Sequence, residues 1–168
     1  MGVSVTWEKL RKIIDDVKEK FGEDLVREVY VEGKIAKIVV KKESIVKVAR
    51  YLRDTHRFDH VKGVTGADLS RLREGGGPCI EVLYHLGSLE DRELHDVILN
   101  ISVILDIENP TVSSLYYIWP SVEFHEREVY DMLGVIFNGH PKLQRILLPE
   151  YWMDIPPLRK EYKVPGRE

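Results

Sequence analysis

Four charged side chains crowd into one short stretch: Glu126, Arg127, Glu128 and Asp131. Two carboxylates on one helix are the minimum for general acid–base chemistry, one holding a proton while the other is ionised. On that reading Glu126 and Asp131 would be the working pair of an independent hydrolase. The same stretch has an electrostatic reading. Glu123, Arg127 and Asp131 recur every four residues, a spacing that predicts an ion-pair seam with Arg127 reaching both neighbours. Such a pair contributes only about 0.3–0.5 kcal/mol on an exposed helix. Desolvated at a subunit interface, the same charges would fix register instead. No residue nearby completes a reaction centre, so the seam is the favoured reading.

The remaining chemistry-bearing residues fail their motif tests. His56 and His60 are four apart, but Arg57 stands where a zinc protease needs glutamate. His125-Glu126 has Val129 where its second histidine would be. Gly75–Gly77 lacks the following Lys-Ser/Thr of a phosphate-binding loop and reads as the tip of a hairpin, Glu74 to Pro78. Cys79 is the one cysteine, too few for an internal disulfide or an iron–sulfur cluster. It reads as an apolar filler in a reducing compartment. No catalytic residue, metal ligand or cofactor contact is therefore expected in this chain.

Composition narrows the class. The 168 residues are 43% hydrophobic and 32% charged, enough for a single core. No run approaches the ~20 apolar residues of a spanning helix, and no signal-peptide order is visible. The net charge of −3, with both signs interspersed, gives no basic stripe for nucleic acid. Asn100, Asn109, Asn138 and Gln144 are the only amides, which hints at a thermophilic source.

The elements follow from periodicity. Leu10, Ile13, Ile14, Val17 and Phe21 predict a first helix, capped by Thr6 and stopped by Gly22. Val26–Val31 and Ile35–Val40 predict a hairpin around Glu32-Gly33-Lys34. A second helix over Glu43–Thr55 presents Ile45, Val46, Val48, Ala49 and Leu52. Strands are expected within Phe58–Leu69, over Ile80–Leu86 and over Val97–Ile107, until Asn109-Pro110 breaks the last. Val112–Ile118 reads as a short helix. Pro120 suits the first turn of the next one, whose apolar face is Val122, Val129, Met132 and Leu133, with Gly134 as cap. Val135–Phe137 is extended, Asn138 to Pro141 is a turn, and Arg145–Leu148 is a short strand. The fold class is α+β: a largely antiparallel, mixed sheet with helices on one face. Residues 1–148 form the domain, with a signature helix and turn over 120–148. Residues 149–168 form an extended tail, too apolar for solvent and broken by Pro156-Pro157.

The run from Glu126 to Leu147 resembles the signature of the complex I C-type, thirty-kilodalton subunit family: an ERE-x-YD helix ending in glycine, an extended step, a GHP turn, then L-x-R-I-L. Ser114-Leu115, Trp119-Pro120, Leu148 to Trp152 and Pro157 to Tyr162 extend the match, as do Val64 to Asp68 and Val82 to Leu86 more loosely. Glu123, Phe124, Gln144 and Tyr151 depart from the pattern. The resemblance covers roughly Phe58 to Tyr162.

The resemblance implies a cofactor-free structural or assembly subunit in the peripheral arm of an ion-translocating membrane oxidoreductase. Its partners would be a hydrogenase-like large subunit and iron–sulfur small subunits, with iron–sulfur clusters, and in some complexes a nickel–iron centre, held by those partners. It would sit on the cytoplasmic side of the membrane without inserting. Interface residues are expected at Glu126, Arg127, Glu128, Tyr130, Asp131, Gly134, His140, Pro141, Arg145, Trp152, Leu158 and Arg159. Membrane-bound hydrogenase, NADH or ferredoxin dehydrogenase and sulfur-reducing complex all remain open.

Overall fold

In the computed structural model the described residues are 2–22, 26–32, 34–71 and 77–166, with only the backbone course described for 2–6 and 26–32. Helix α1 spans Gly2–Phe21 and helix α2 spans Ile45–His56. The apolar spacing read from the sequence is the spacing that packs. Leu10, Ile13, Ile14 and Val17 of α1 are buried, as are Ile45, Val48, Ala49 and Leu52 of α2. Thr6 does not cap α1, because the helix begins at Gly2 and Thr6 lies inside it. The tip around Gly75–Gly77 and the turn at Gly33 fall largely outside the described residues.

Five strands form one sheet: β1 (Val26–Glu32), β2 (Ile35–Val40), β3 (His60–Asp68), β4 (Cys79–Gly87) and β5 (Ile98–Asp106), in the order β1-β2-β5-β4-β3. Only β2 and β5 run parallel; the other neighbours are antiparallel. The sheet is thus mixed and mostly antiparallel, as the strand pattern predicts. Period-2 alternation sets the inner face. Ile80, Val82, Tyr84 and Leu86 of β4 share it with Leu99, Ile101, Val103 and Leu105 of β5, and all are buried.

The helices cover that inner face, together with a third, α3 (Glu123–Leu133). A short 3-10 turn, Pro120–Val122, leads into α3, and the proline, having no N–H to leave unsatisfied, suits its start. Gly134 ends α3 in the left-handed region at φ 75°, its N–H bonded to Tyr130 O at 2.8 Å. The expected helix over Val112–Ile118 is absent. Thr111–Ser113 is instead strand β6, pairing in parallel with β7 (Ile136–Asn138), and only one helical turn follows, where Ile118 and Trp119 donate to Leu115 O. Strand pairing with a segment beyond α3 overrides the local preference.

β3 lies close beneath α3, and Gly66 makes that approach possible. A Cβ there would stand 2.4 Å from Leu133 Cδ1 and 2.9 Å from Val129 Cγ1, both on buried side chains. At Gly63, beside the irregularity in the β3 register, a Cβ would meet only His85 at 3.9 Å. Gly66→Ala is expected to destabilise the fold by about 1–3 kcal/mol through overpacking, and Gly63→Ala far less. Urea unfolding of both variants checks the ordering.

Candidate functional site

Three of the charged residues of α3 are buried: Glu126, Arg127 and Asp131. Glu126, Val129 and Leu133 recur at i, i+3 and i+7 on one helix face, so Glu126 sits inside an apolar stripe. That spacing was the available signal that its charge points inward and must find partners. It does: the Tyr84 hydroxyl (2.8 Å) and the Leu115 N–H (2.9 Å) donate to Oε1, and the Ser114 hydroxyl (2.5 Å) donates to Oε2. Glu126 thereby ties α3 to β4 and to the segment after β6. Burial raises its pKa above the ordinary value, only partly opposed by these donors. Burial and the facing carboxylate together push the Tyr84 hydroxyl well up.

Asp131 is equally inaccessible but differently solvated. The consecutive backbone N–H groups of Ile146, Leu147 and Leu148 converge on Oδ2 at 3.1, 2.7 and 2.9 Å. Arg145 Nη1 donates to Oδ1 at 2.8 Å. Burial alone would raise this carboxyl's pKa, but Leu148 N–H, Arg145 and the other two N–H groups outweigh it and hold it below the usual range. This arrangement corrects the expected strand over Arg145–Leu148. The backbone donors there are spent on a carboxylate, and no ladder forms.

The Glu123–Arg127–Asp131 seam is corrected as well. Arg127 is buried and donates to main-chain carbonyls, Nε to Gln144 O at 2.9 Å and Nη2 to Arg145 O at 3.3 Å. Asp131 pairs with Arg145, from far along the chain, instead of with its helix neighbour. Arg145 also donates to Trp152 O at 3.3 Å. Helix α3 therefore uses Arg127 and Asp131 to lay down residues 144–152 as a strap.

The strap continues past the end of α3. Leu158 N–H donates to Met132 O (3.0 Å), and Arg159 donates from Nε to Leu133 O (2.7 Å) and from Nη1 to Ile107 O (3.1 Å). A guanidinium at the carboxyl end of a helix satisfies its last carbonyls and meets the negative end of its dipole. Lys160 N–H reaches Asp68 Oδ2 at 2.8 Å, and Arg71 donates to Lys160 O at 3.0 Å. At Gly134 a Cβ would stand 3.2 Å from Pro156, so the glycine also admits the strap.

His140 shapes the turn after β7. Its Nδ1 accepts from Lys142 N–H at 3.0 Å, which places the ring proton on Nε2, facing Glu123 O at 3.2 Å. His56 and His60 share no helix face: His56 closes α2 against Asp16 at 2.7 Å, and His60 opens β3. Glu126, Arg127, Asp131, Arg145 and Arg159 are thus occupied within the chain. Glu128, Pro141 and Leu158 remain exposed, and Tyr130, His140 and Trp152 half-buried. Beside them, residues 146–158 leave large apolar groups in solvent, notably Tyr151 at 81% and Met153 at 95% exposure.

Glu126 and Asp131 accept from separate sets of intrachain donors, three at Glu126 and four at Asp131. The arrangement defines a class of domain in which buried charges organise a C-terminal strap and leave its apolar side outward. A sequence profile described as respiratory-chain NADH dehydrogenase, 30 Kd subunit, matches residues 38–168. The C-type subunit of the NADH-quinone oxidoreductase of a Roseiflexus species is 43% identical over 133 residues, 78% of this chain and 71% of that protein. Its counterpart in Nocardia farcinica is 32% identical over 161 residues, 95% of this chain and 60% of that protein. The chain belongs to the respiratory-chain NADH dehydrogenase 30 kDa subunit family. The fold is shared with a trypsin-resistant fragment of Nqo5 (TM-score 0.67, 23% identity, covering 80% of this chain and 99% of that one). It is shared too with a chain of the archaeal membrane-bound sulfane sulfur reductase, a respiratory membrane complex (TM-score 0.68, 22% identity, 92% and 86%).

The opposite pKa directions give opposite acid responses. Asp131, lowered, contributes stability that is present above the ordinary carboxylate range and is lost as pH falls through its folded value. Glu126, raised, contributes fully below that range and less as pH rises through its folded value. Asp131→Asn is expected to cost about 3 kcal/mol at neutral pH, shrinking as the solution is acidified below about pH 4. Glu126→Gln is expected to cost least at neutral pH, its cost growing on acidification. Urea midpoints at the two pH values test both signs.

Proposed function

We propose that this chain is a non-catalytic structural subunit in the peripheral arm of a complex I-like, ion-translocating membrane oxidoreductase. Family membership supports the class of complex. The strap carries the finer reading: its backbone is fixed by Arg127, Asp131 and Arg159, while Leu147, Tyr151, Met153 and Leu158 face outward. Apolar groups held rigidly in solvent lose little further entropy when covered, which suits a permanent contact. The occupant proposed is the hydrogenase-like large subunit, with iron–sulfur small subunits nearby. Clusters, and any nickel–iron centre, belong to those partners. In this reading the complex holds the chain at the cytoplasmic face of the membrane; no described helix is long and apolar enough to cross it. The turn at His140-Pro141 and the exposed Glu128 extend the contact beside the strap.

Co-expression with the large subunit tests this. The chain is expected to co-purify with it, and Tyr151→Ser with Met153→Asp to weaken association about tenfold or more without lowering the isolated chain's melting temperature. A stable, monodisperse chain that shows no association would overturn the proposal. Turnover by the isolated chain that is lost in Glu126→Gln would replace it with the hydrolase reading.

A further inference from the structure

A second surface lies on the outer side of α1 and α2, lined by no residue of α3 or of the strap. There a groove of about 380 Å³ runs between the end of α1 and the middle of α2. Its floor is aromatic. Phe21 meets the Tyr51 ring edge-on at 5.5 Å, and the Tyr51 hydroxyl is anchored by donation to Asp16 at 2.5 Å. Lys20 Nζ stands 4.0 Å from the Tyr51 ring centroid, in cation–π range. Lys47 and Arg50 rise from α2 three residues apart, on one side of the helix and exposed. Among the described residues neither makes an ion pair.

Local acids offset part of this charge: Asp54 lies near Arg50 as well as Arg53, Asp16 near Lys20, and Glu19 near Tyr51. Asp54, the one carboxylate lining the groove, is bound to Arg53 at 2.7 Å. Asp16 is occupied by Tyr51 and by His56. Lys20, Lys47 and Arg50 against Asp54 still leave the rim net cationic around an aromatic floor, on a chain whose net charge is −3. The cations are spread along the groove, and no buried donors converge on a single point. Spread carboxylates satisfy that pattern better than one compact anion, and the aromatic floor asks for an apolar side chain between them.

We propose that this groove docks an acidic segment of a partner protein, with carboxylates at Lys20, Lys47 and Arg50 and an apolar side chain against Phe21 and Tyr51. The contact is separate from the strap, so it holds or fails independently of large-subunit docking. Fluorescence anisotropy of the full chain with a short synthetic peptide alternating glutamate and leucine tests it, against the glutamine–leucine counterpart. The glutamate peptide is expected to bind, more weakly as salt rises. Lys47→Glu with Arg50→Glu is expected to weaken it about tenfold. Both positions are exposed, and circular dichroism checks that the variant keeps its fold. Phosphatidylglycerol vesicles and inorganic phosphate serve as competing probes. Equal binding of both peptides, binding unaffected by the double substitution, or binding of vesicles or phosphate without the peptide would each overturn the proposal.

Discussion

A carboxylate without access to water holds the C-terminal part of this molecule in place. Asp131 gathers three successive backbone N–H groups and an arginine, so a segment lacking regular secondary structure still has its polar backbone satisfied. Irregular chain seldom lies against a core because its donors and acceptors need partners. Asp131 supplies the acceptors, Arg127 supplies donors to the two carbonyls just before, and Arg159 does the same past the end of α3. Everything the strap offers to a partner depends on these intrachain contacts.

The two buried carboxylates of α3 show how environment divides like residues. Glu126 faces hydroxyls and one N–H inside the apolar layer, and its charge is disfavoured. Asp131 faces a concave run of N–H groups and a guanidinium, and its charge is held. Divergent pKa values on neighbouring carboxylates often mark a catalytic pair. Here the shifts arise from groups that lock elements together, and the fold consumes the charge that chemistry would need.

The sequence was most legible where periodicity alone decides. The faces of α1 and α2, strands β3 to β5, the GHP turn and the glycine cap of α3 all lie where apolar spacing or backbone demands place them. It misled where a local pattern had a distant competitor. Val112–Ile118 has helical spacing, yet Thr111–Ser113 pairs with β7. Arg145–Leu148 looks like a strand, but a side chain takes its N–H groups. Arg127 and Asp131 have ion-pair spacing, and both found better partners well downstream in the chain. Periodicity does not encode which buried charge meets which backbone group: charge spacing and the family resemblance both pointed to these residues, and neither named their partners.

The strap also bears on the order of events during synthesis. Its closing contacts join residues far apart in sequence: Lys160 to Asp68, and Arg159 to Ile107. The ribosome exposes the sheet and α3 well before those partners emerge, and α3 meanwhile carries unsatisfied carbonyls at Met132 and Leu133. Closure of such long loops comes late. The apolar side of the strap is then oriented only after the domain beneath it is complete, so a half-made chain has not yet assembled this surface.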